Sequence, residues 1–255
     1  GAASILLSTN KANMQLTPDF EPKRNEKCFC ESGLRFKQCC GSAAPDRAPP
    51  HGIVVVENFL SPEQCSELVA IANACENEPL QTVDIALSTP DEVVRTMHEG
   101  RVTELVKMGE HQATLNALIK SAITTTMAPA LGREFEWFEQ PQLLRYSSGS
   151  FYHSHADSEN YIPELEQWRK DLDRDISMLL YLNDEFEGGK IGFDNFGYKI
   201  KPKAGMLIYF PSDNRYLHTA ETVTSGLRYA VVSWAALKGV EKVRSAPPEN
   251  SIPLG

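Results

Sequence analysis

From Phe135 onward the chain is written in short apolar runs broken by turn signals, and this rhythm limits the folds open to it. The runs cover residues 142–146, 176–182, 190–193, 198–200, 206–210 and 228–235. Between them lie Glu187-Gly188-Gly189, the segment 201–205 and Ser225-Gly226, all residues that punctuate strands. Many short strands so spaced read as a sandwich or as a cupin-like jelly roll. The preceding region is helical in pattern. Residues 53–56 form a β-branched run that opens the main domain. Ser61, Pro62 and Gln64 then mark a helix start, and Leu68, Val69, Ile71 and Ala72 give its apolar stripe to about Asn77. A second helical pattern covers 110–128. Helices ahead of a run of strands predict an α+β domain. Residues 82–87 alternate like a strand, 88–100 read as a polar loop, and 160–170 as a short helix or excursion. Residues 4–7 could add an edge strand.

The chemistry concentrates in the stretch RYSSGSFYHSHAD, residues 145–157. It ends in His155-x-Asp157, and residues two apart on a strand share a face. With His218 as a third ligand, the set becomes two His and one carboxylate with open positions, which suits a non-haem Fe(II) oxygenase. His-x-Asp alone recurs by chance and carries little weight. Arg228 opens an otherwise apolar strand ten residues after His218. A buried guanidinium there needs an anionic partner and would fit a dicarboxylic cosubstrate bidentately. A partly exposed Arg paired with a nearby acidic residue is the competing reading.

Four of the six cysteines, Cys28, Cys30, Cys39 and Cys40, fall within thirteen residues. Four thiolates so close suit a closed tetrahedral Zn(II) site, and adjacent Cys39 and Cys40 are poor disulfide partners. A segment this small cannot bury a useful core, so a metal would supply most of its folding energy. Lys23, Arg24, Lys27, Arg35 and Lys37 make it basic within a chain of net charge -9. It either docks an acidic protein or RNA surface or caps the main domain. The acidic balance argues against a nucleic-acid partner, and no apolar run is long enough to span a membrane. Gly1-Ala2-Ala3-Ser4 reads as an expression remnant with no secretory signal, and a cytoplasmic location is expected. The expected division is 1–22 as a leading segment, 23–41 as the zinc-binding motif, 42–52 as a Pro-rich linker, 53–240 as the main domain and 241–255 as a loosely packed tail.

Residues 53–236 resemble the prolyl 4-hydroxylase branch of the Fe(II)/2-oxoglutarate dioxygenases. The resemblance rests on FLSPEQC (59–65), LLRYSSGSFYHSHAD (143–157), SMLLYLND (177–184), EGG (187–189), KAGMLIYFPS (203–212) and LHTAETVTSGLRYAVVSWA (217–235). It implies a double-stranded β-helix with helices packed on one side. By position it implies that His155, Asp157 and His218 hold iron, and that Arg228 pairs with the distal carboxylate of 2-oxoglutarate. It further implies that Tyr146 and Tyr181 contact that cosubstrate and that Trp234 lies near the metal, although each of these three also reads as core packing. Tyr152 and His153 flank the metal motif as substrate-contact candidates. The implied reaction consumes O2 and 2-oxoglutarate, releases succinate and CO2, and hydroxylates a prolyl residue of a protein or peptide. Ascorbate is compatible as an accessory reductant. The same chemistry on another residue or a small molecule, and a non-catalytic binding module, are the alternatives. The segment 84–100 occupies the place of a mobile loop in related enzymes, and an ordinary surface loop fits it equally. RNEKCFCESGLRFKQCCG, residues 24–41, resembles the SEC-C motif.

Overall fold

The computed structural model describes residues 15–44 and 46–255. The edge strand expected at 4–7 lies outside them. The larger of the two main antiparallel sheets runs, in spatial order, Val54–Val56, Leu207–Pro211, Ile176–Tyr181, Arg228–Leu237, Gln142–Tyr146, Glu104–Val106 and Asn77–Pro79. Phe135–Glu139 pairs with the far end of Arg228–Leu237 and carries Ser251–Pro253 on its outer edge. The smaller sheet runs Tyr198–Ile200, Ile191–Phe193, His218–Ala220, Phe151–His155 and Arg101–Val102. The two sheets enclose a cavity between them, and the helices cover the outer face of the larger one. This is the double-stranded β-helix of the expected α+β class.

Alternation along the central strands explains the arrangement. Leu143, Met178, Leu180, Leu207, Tyr229 and Val231 pack outward against Leu68, Leu115, Ile119 and Met127 of the helical layer. Their neighbours Leu144, Tyr146, Tyr181, Ile208, Ala230 and Val232 face inward. Both faces are buried, so these strands read as nearly continuous apolar runs rather than as alternating ones.

The first helix, Pro62–Ala74, starts where expected. The Ser61 hydroxyl accepts from the Gln64 amide at 3.1 Å, and the Gln64 side chain accepts from the Ser61 amide at 2.9 Å. Such a cap is worth about 1 kcal/mol. This helix stops at Ala74 because Asn77–Pro79 leaves to pair with Glu104–Val106. The second helical region runs from Gln112 through a π-turn, Ala122–Met127, to Leu131. Thr124 and Thr125 bond back to the carbonyls of Lys120 and Ser121 in that turn, and Gly132 closes the helix in the left-handed region.

Four expectations need correction. Residues 160–170 form a hairpin, Glu159–Ile162 with Gln167–Lys170, rather than a helix. Its turn is closed by Leu165 and Glu166 amides donating to Ile162 and Pro163 carbonyls, and Leu16–Thr17 adds a third strand. Residues 84–100 are not a plain loop; they include most of a hairpin in which Thr82–Val83 pairs with Arg95–Thr96. The tail is not loose. Ser251–Pro253 extends a sheet, and Asp173 accepts from the amides of Val243 and Arg244 at 2.8 and 3.0 Å. The segment 42–52 is not a free linker, because Arg47 donates to the carbonyls of Cys40 and Phe196, at 2.7 and 2.6 Å. The cysteine segment accordingly shares one hydrophobic cluster with the inner face of the large sheet: Cys28, Phe36 and Cys40 sit with Ile53, Ile208 and Phe210.

Candidate active site and cysteine cluster

The smaller sheet sets His155 directly opposite His218 in register. Asp157 follows two residues after His155, just beyond the end of its strand. His155 Nε2 lies 3.3 Å from Asp157 Oδ1, and His218 Nε2 lies 3.5 Å from Asp157 Oδ2. One ligand atom from each of the three lies within 4.8 Å of the other two. Cis ligands about 2.1 Å from one ion stand roughly 3 Å apart, so the set fits a metal.

The outer bonds of the two imidazoles fix which nitrogen faces inward. His155 Nδ1 lies 2.7 Å from the His153 carbonyl, and His218 Nδ1 lies 3.0 Å from the Tyr216 carbonyl. A carbonyl can only accept, so each Nδ1 carries the proton and each Nε2 presents a lone pair to the shared centre. Burial pushes the His218 imidazole down to about 4, which keeps it neutral and able to ligate. Burial opposes ionisation of Asp157, but His218, His155 and the Ser177 hydroxyl outweigh it and hold the carboxyl far below its usual range. Ser177 donates to Asp157 Oδ2 at 2.6 Å and is in turn 2.7 Å from the Ser212 hydroxyl.

The larger sheet supplies the other wall. Arg228 pairs in register with Tyr146, and Tyr181 with Ala230, so Tyr146, Tyr181 and Arg228 face inward together. They line a cavity of about 50 Å³ whose opposite end is His155, Asp157 and His218. Arg228 is only 2% exposed. Its Nη1 donates to the Gly189 carbonyl at 2.7 Å, while its Nε has no partner. Its guanidinium stands 3.9 Å from the centre of the Tyr146 ring and 5.7 Å from that of Tyr181. No acidic side chain pairs with it among the described residues, so the local-partner reading does not apply here. A buried cation facing a cavity with an unused donor fits an anionic ligand. Burial disfavours ionisation of Tyr146, yet Arg101 and Arg228 outweigh it and bring the phenol below its ordinary value. Burial pushes the Tyr181 phenol up to about 12.

Tyr152 stacks on the His155 ring at 3.5 Å between centres and reaches the inner cavity. His153 is exposed, stacks on Phe151 at 4.6 Å, and lines only an outer cleft of about 330 Å³. That cleft opens beside the triad between the 82–96 hairpin and the 159–170 hairpin. Trp234 lies between cavity and cleft, with the Arg174 guanidinium 3.7 Å above its ring.

Four participants escape sequence reading. Ser177 props Asp157, and Arg101 lies 4.3 Å over the Tyr152 ring at the cavity wall. Arg174 forms two bonds to Glu139, at 2.7 and 2.8 Å, and a third, at 3.3 Å, to the Asp157 carbonyl. Ser177 was findable as the one polar residue in the apolar run ISMLLY. Arg101 sits in a two-residue strand too short for any periodicity.

Across the molecule, the four cysteines also converge. Cys30 and Cys39 sulfurs lie 3.4 Å apart, Cys39 and Cys40 4.0 Å apart, and all four are free and within 4.8 Å. A tetrahedral Zn(II) with bonds of about 2.3 Å separates its sulfurs by about 3.8 Å, so the set fits that ion with no position left open. The Ser32 hydroxyl stabilises the Cys30 thiolate, bringing it down to about 6. Gly41 closes the segment against Phe36; a Cβ there would stand 2.3 Å from the ring.

Comparison with known proteins follows the same division. A sequence profile of the 2OG-Fe(II) oxygenase superfamily matches residues 141–236, and one of the SEC-C motif matches 24–42. Human prolyl 3-hydroxylase 2 is 40% identical over 92 residues, covering 32% of this chain and 13% of that protein. A putative prolyl 4-hydroxylase of Acanthamoeba polyphaga mimivirus is 26% identical over 192 residues, 71% of this chain and 72% of its own. Among solved structures, a Trichoplax adhaerens prolyl hydroxylase in complex with a hypoxia inducible factor oxygen degradation domain peptide fragment superposes with a TM-score of 0.52. It is 20% identical and covers 72% of this chain and 83% of that one.

Proposed function

We propose that this chain, a 2OG-Fe(II) oxygenase over residues 141–236 and a SEC-C protein over 24–42, hydroxylates a prolyl residue of a protein or peptide. The observation that carries this reading is the single cavity with His155, Asp157 and His218 at one end and the buried Arg228 at the other. When bound, Fe(II), 2-oxoglutarate and O2 supply the oxidation, in which the cosubstrate becomes succinate and CO2 and a substrate C–H becomes C–OH.

The chain's own residues bind and orient. His155, Asp157 and His218 hold the iron, and Ser177 with the two backbone carbonyls fixes their ligand atoms. Arg228 receives the distal carboxylate of 2-oxoglutarate, and Tyr146, held by Arg101 and Arg228, borders the same carboxylate site. Tyr181 lines that end of the cavity and stays protonated, able to donate. Tyr152 stacks on His155 and borders both the inner cavity and the outer cleft, between cosubstrate and substrate. His153 and Trp234 border the cleft, where the substrate chain lies between the two hairpins. The 84–100 segment then acts as one wall and covers the bound peptide.

Prolyl specificity is supported by relatives named prolyl 3- and prolyl 4-hydroxylases. The cleft's size, with its two flanking hairpins, favours a peptide over a free metabolite. Zn(II) in the four-cysteine set is a structural metal of the 23–41 module, whose exposed Lys23, Arg24, Lys27, Arg35 and Lys37 offer a docking face for an acidic protein surface. No helix among the described residues is long and apolar enough to cross a membrane.

Incubation of the protein with Fe(II), 2-oxoglutarate, ascorbate and a library of proline-containing peptides tests the reading. It predicts succinate formation coupled to gain of one oxygen atom on proline, with both signals lost in Asp157→Ala. Succinate coupled to oxygen on another residue would overturn the prolyl assignment, and turnover retained in Asp157→Ala would overturn the iron site.

A further inference from the structure

Tyr216 stands two residues before His218 and touches both metal-ligating regions. Its hydroxyl donates to the His51 carbonyl at 2.7 Å, and the His51 amide donates to Cys40 Sγ at 3.4 Å. Its own carbonyl accepts from His218 Nδ1 at 3.0 Å. An unbroken path thus runs from a cysteine ligand to an iron-ligand candidate through one buried tyrosine. The backbone is shaped for this path. Gly52 has a φ of +90°, and a Cβ there would lie 2.1 Å from the Tyr216 hydroxyl oxygen. The Tyr216 ring also packs on Phe196 at 5.5 Å, and Phe196 stacks on Phe29 of the cysteine segment at 5.8 Å.

A second connection leaves the same cysteine. Arg47 bridges the carbonyls of Cys40 and Phe196. Asp194, at the start of the Phe196 turn, accepts from Thr219 at 3.1 Å and from Ser154. Thr219 and Ser154 are the immediate neighbours of His218 and His155. Both imidazoles are therefore reached from Cys40.

We propose that Tyr216 is a positioning residue that ties the orientation of His218 to the metal-loaded cysteine cluster. The inference rests on reading His155, Asp157 and His218 as the iron ligands. The hydrogen bond on the outer nitrogen of a metal-bound imidazole sets the ring's orientation, and its partners control metal affinity. Here that partner is a carbonyl whose residue is pinned at its other end to the cysteine segment. Packing on Phe196 seats the segment, and thiolates gathered by a metal fix Cys40 within it. Loss of that metal releases His51, then Tyr216, and loosens the angle at which His218 presents Nε2.

The test uses the full chain and Mn(II), a hard ion that prefers the His and carboxylate set over thiolates. Binding is read by electron paramagnetic resonance of free Mn(II), with His155→Ala defining the site. Tyr216→Phe keeps the ring and removes only the hydroxyl. It should weaken Mn(II) binding about 10-fold while zinc content stays unchanged. Tyr209→Phe, a buried tyrosine on neither path, should bind Mn(II) as the wild type does. Zinc-free Cys39→Ser should lose at least as much affinity as Tyr216→Phe. Should Cys39→Ser fail to fold, Gly52→Ala displaces the hydroxyl without touching a ligand and should weaken Mn(II) binding in its place. Affinity of Tyr216→Phe within about twofold of wild type overturns the proposal. If wild type and His155→Ala bind Mn(II) alike, the iron reading itself falls and takes this inference with it. If only His155→Ala loses binding, the iron reading stands and the Tyr216 linkage falls alone.

Discussion

The cysteine cluster draws its four ligands from Cys28 to Cys40, one continuous stretch, whereas His155 and His218 come from paired strands with Asp157 beyond the end of one. In the first, the ligands are held by short turns and one 3-10 helix, Phe36–Gln38, with Cys28, Phe36 and Cys40 as the buried anchors. In the second, sheet register, Ser177 and two backbone carbonyls place the donors before iron arrives. The first is closed by its own four sulfurs; the second opens on a cavity. A metal in the first contributes to folding, and a metal in the second draws on a fold already made. On the proposed reading the two sets serve opposite purposes: ligands supplied locally make a staple, and ligands supplied by a rigid scaffold leave room for chemistry.

Three substitutions probe that contrast. Cys39→Ser carries the largest expected effect. It should abolish zinc binding and destabilise the protein by about 4 kcal/mol or more, the range reached when a structural metal is lost. Metal analysis and urea unfolding check it, and an unchanged urea midpoint in the zinc-free variant would erase the distinction between the clusters. Arg228→Met comes next. Removing the buried cation should raise the 2-oxoglutarate requirement about 100-fold, equivalent to ~3 kcal/mol from a desolvated charge pair. Iron affinity should hardly move, and equal losses of both would merge the two ends of the cavity into one role. Ser177→Ala is the smallest. Loss of the hydroxyl on Asp157 should lower iron affinity about 10-fold with little change in thermal midpoint. Calorimetric iron titration beside a melting curve reads both; a large fall in stability would make the scaffold depend on this hydrogen bond more than its sheet register implies.

Much of this could be read from the chain. Short apolar runs between glycine turns specify a sheet-rich core, and burial on both faces accounts for their continuity. The converging cysteines need no fold to be recognised, because their spacing is local. The other ligand set is legible only in part. His155 and Asp157 are close in sequence, but the opposition of His155 to His218 is a matter of register across distant strands. The Arg174–Glu139 pair is hidden for the same reason, since nothing near Arg174 in sequence marks Glu139 as its partner. The 159–170 hairpin escapes a periodicity reading because its strands carry charged, polar and aromatic residues, not an apolar stripe. The tail was misread because its order comes from the edge of Phe135–Glu139, which offers unpaired backbone groups to whatever lies alongside.

The Leu16–Thr17 strand has a practical bearing on how these two regions can be taken apart. It lies ahead of the cysteine segment, yet it pairs with Arg169 and Trp168 of the hairpin that walls the cleft, and Asp19 accepts from Trp168 Nε1 at 2.8 Å. Cutting the chain after Cys40 would therefore remove more than the four-cysteine cluster. It would also strip a buttress from the cleft wall and expose the Phe196 surface at the same stroke. A truncated protein that lost activity would say nothing about which loss mattered. Separating the contributions calls for single substitutions in an intact chain.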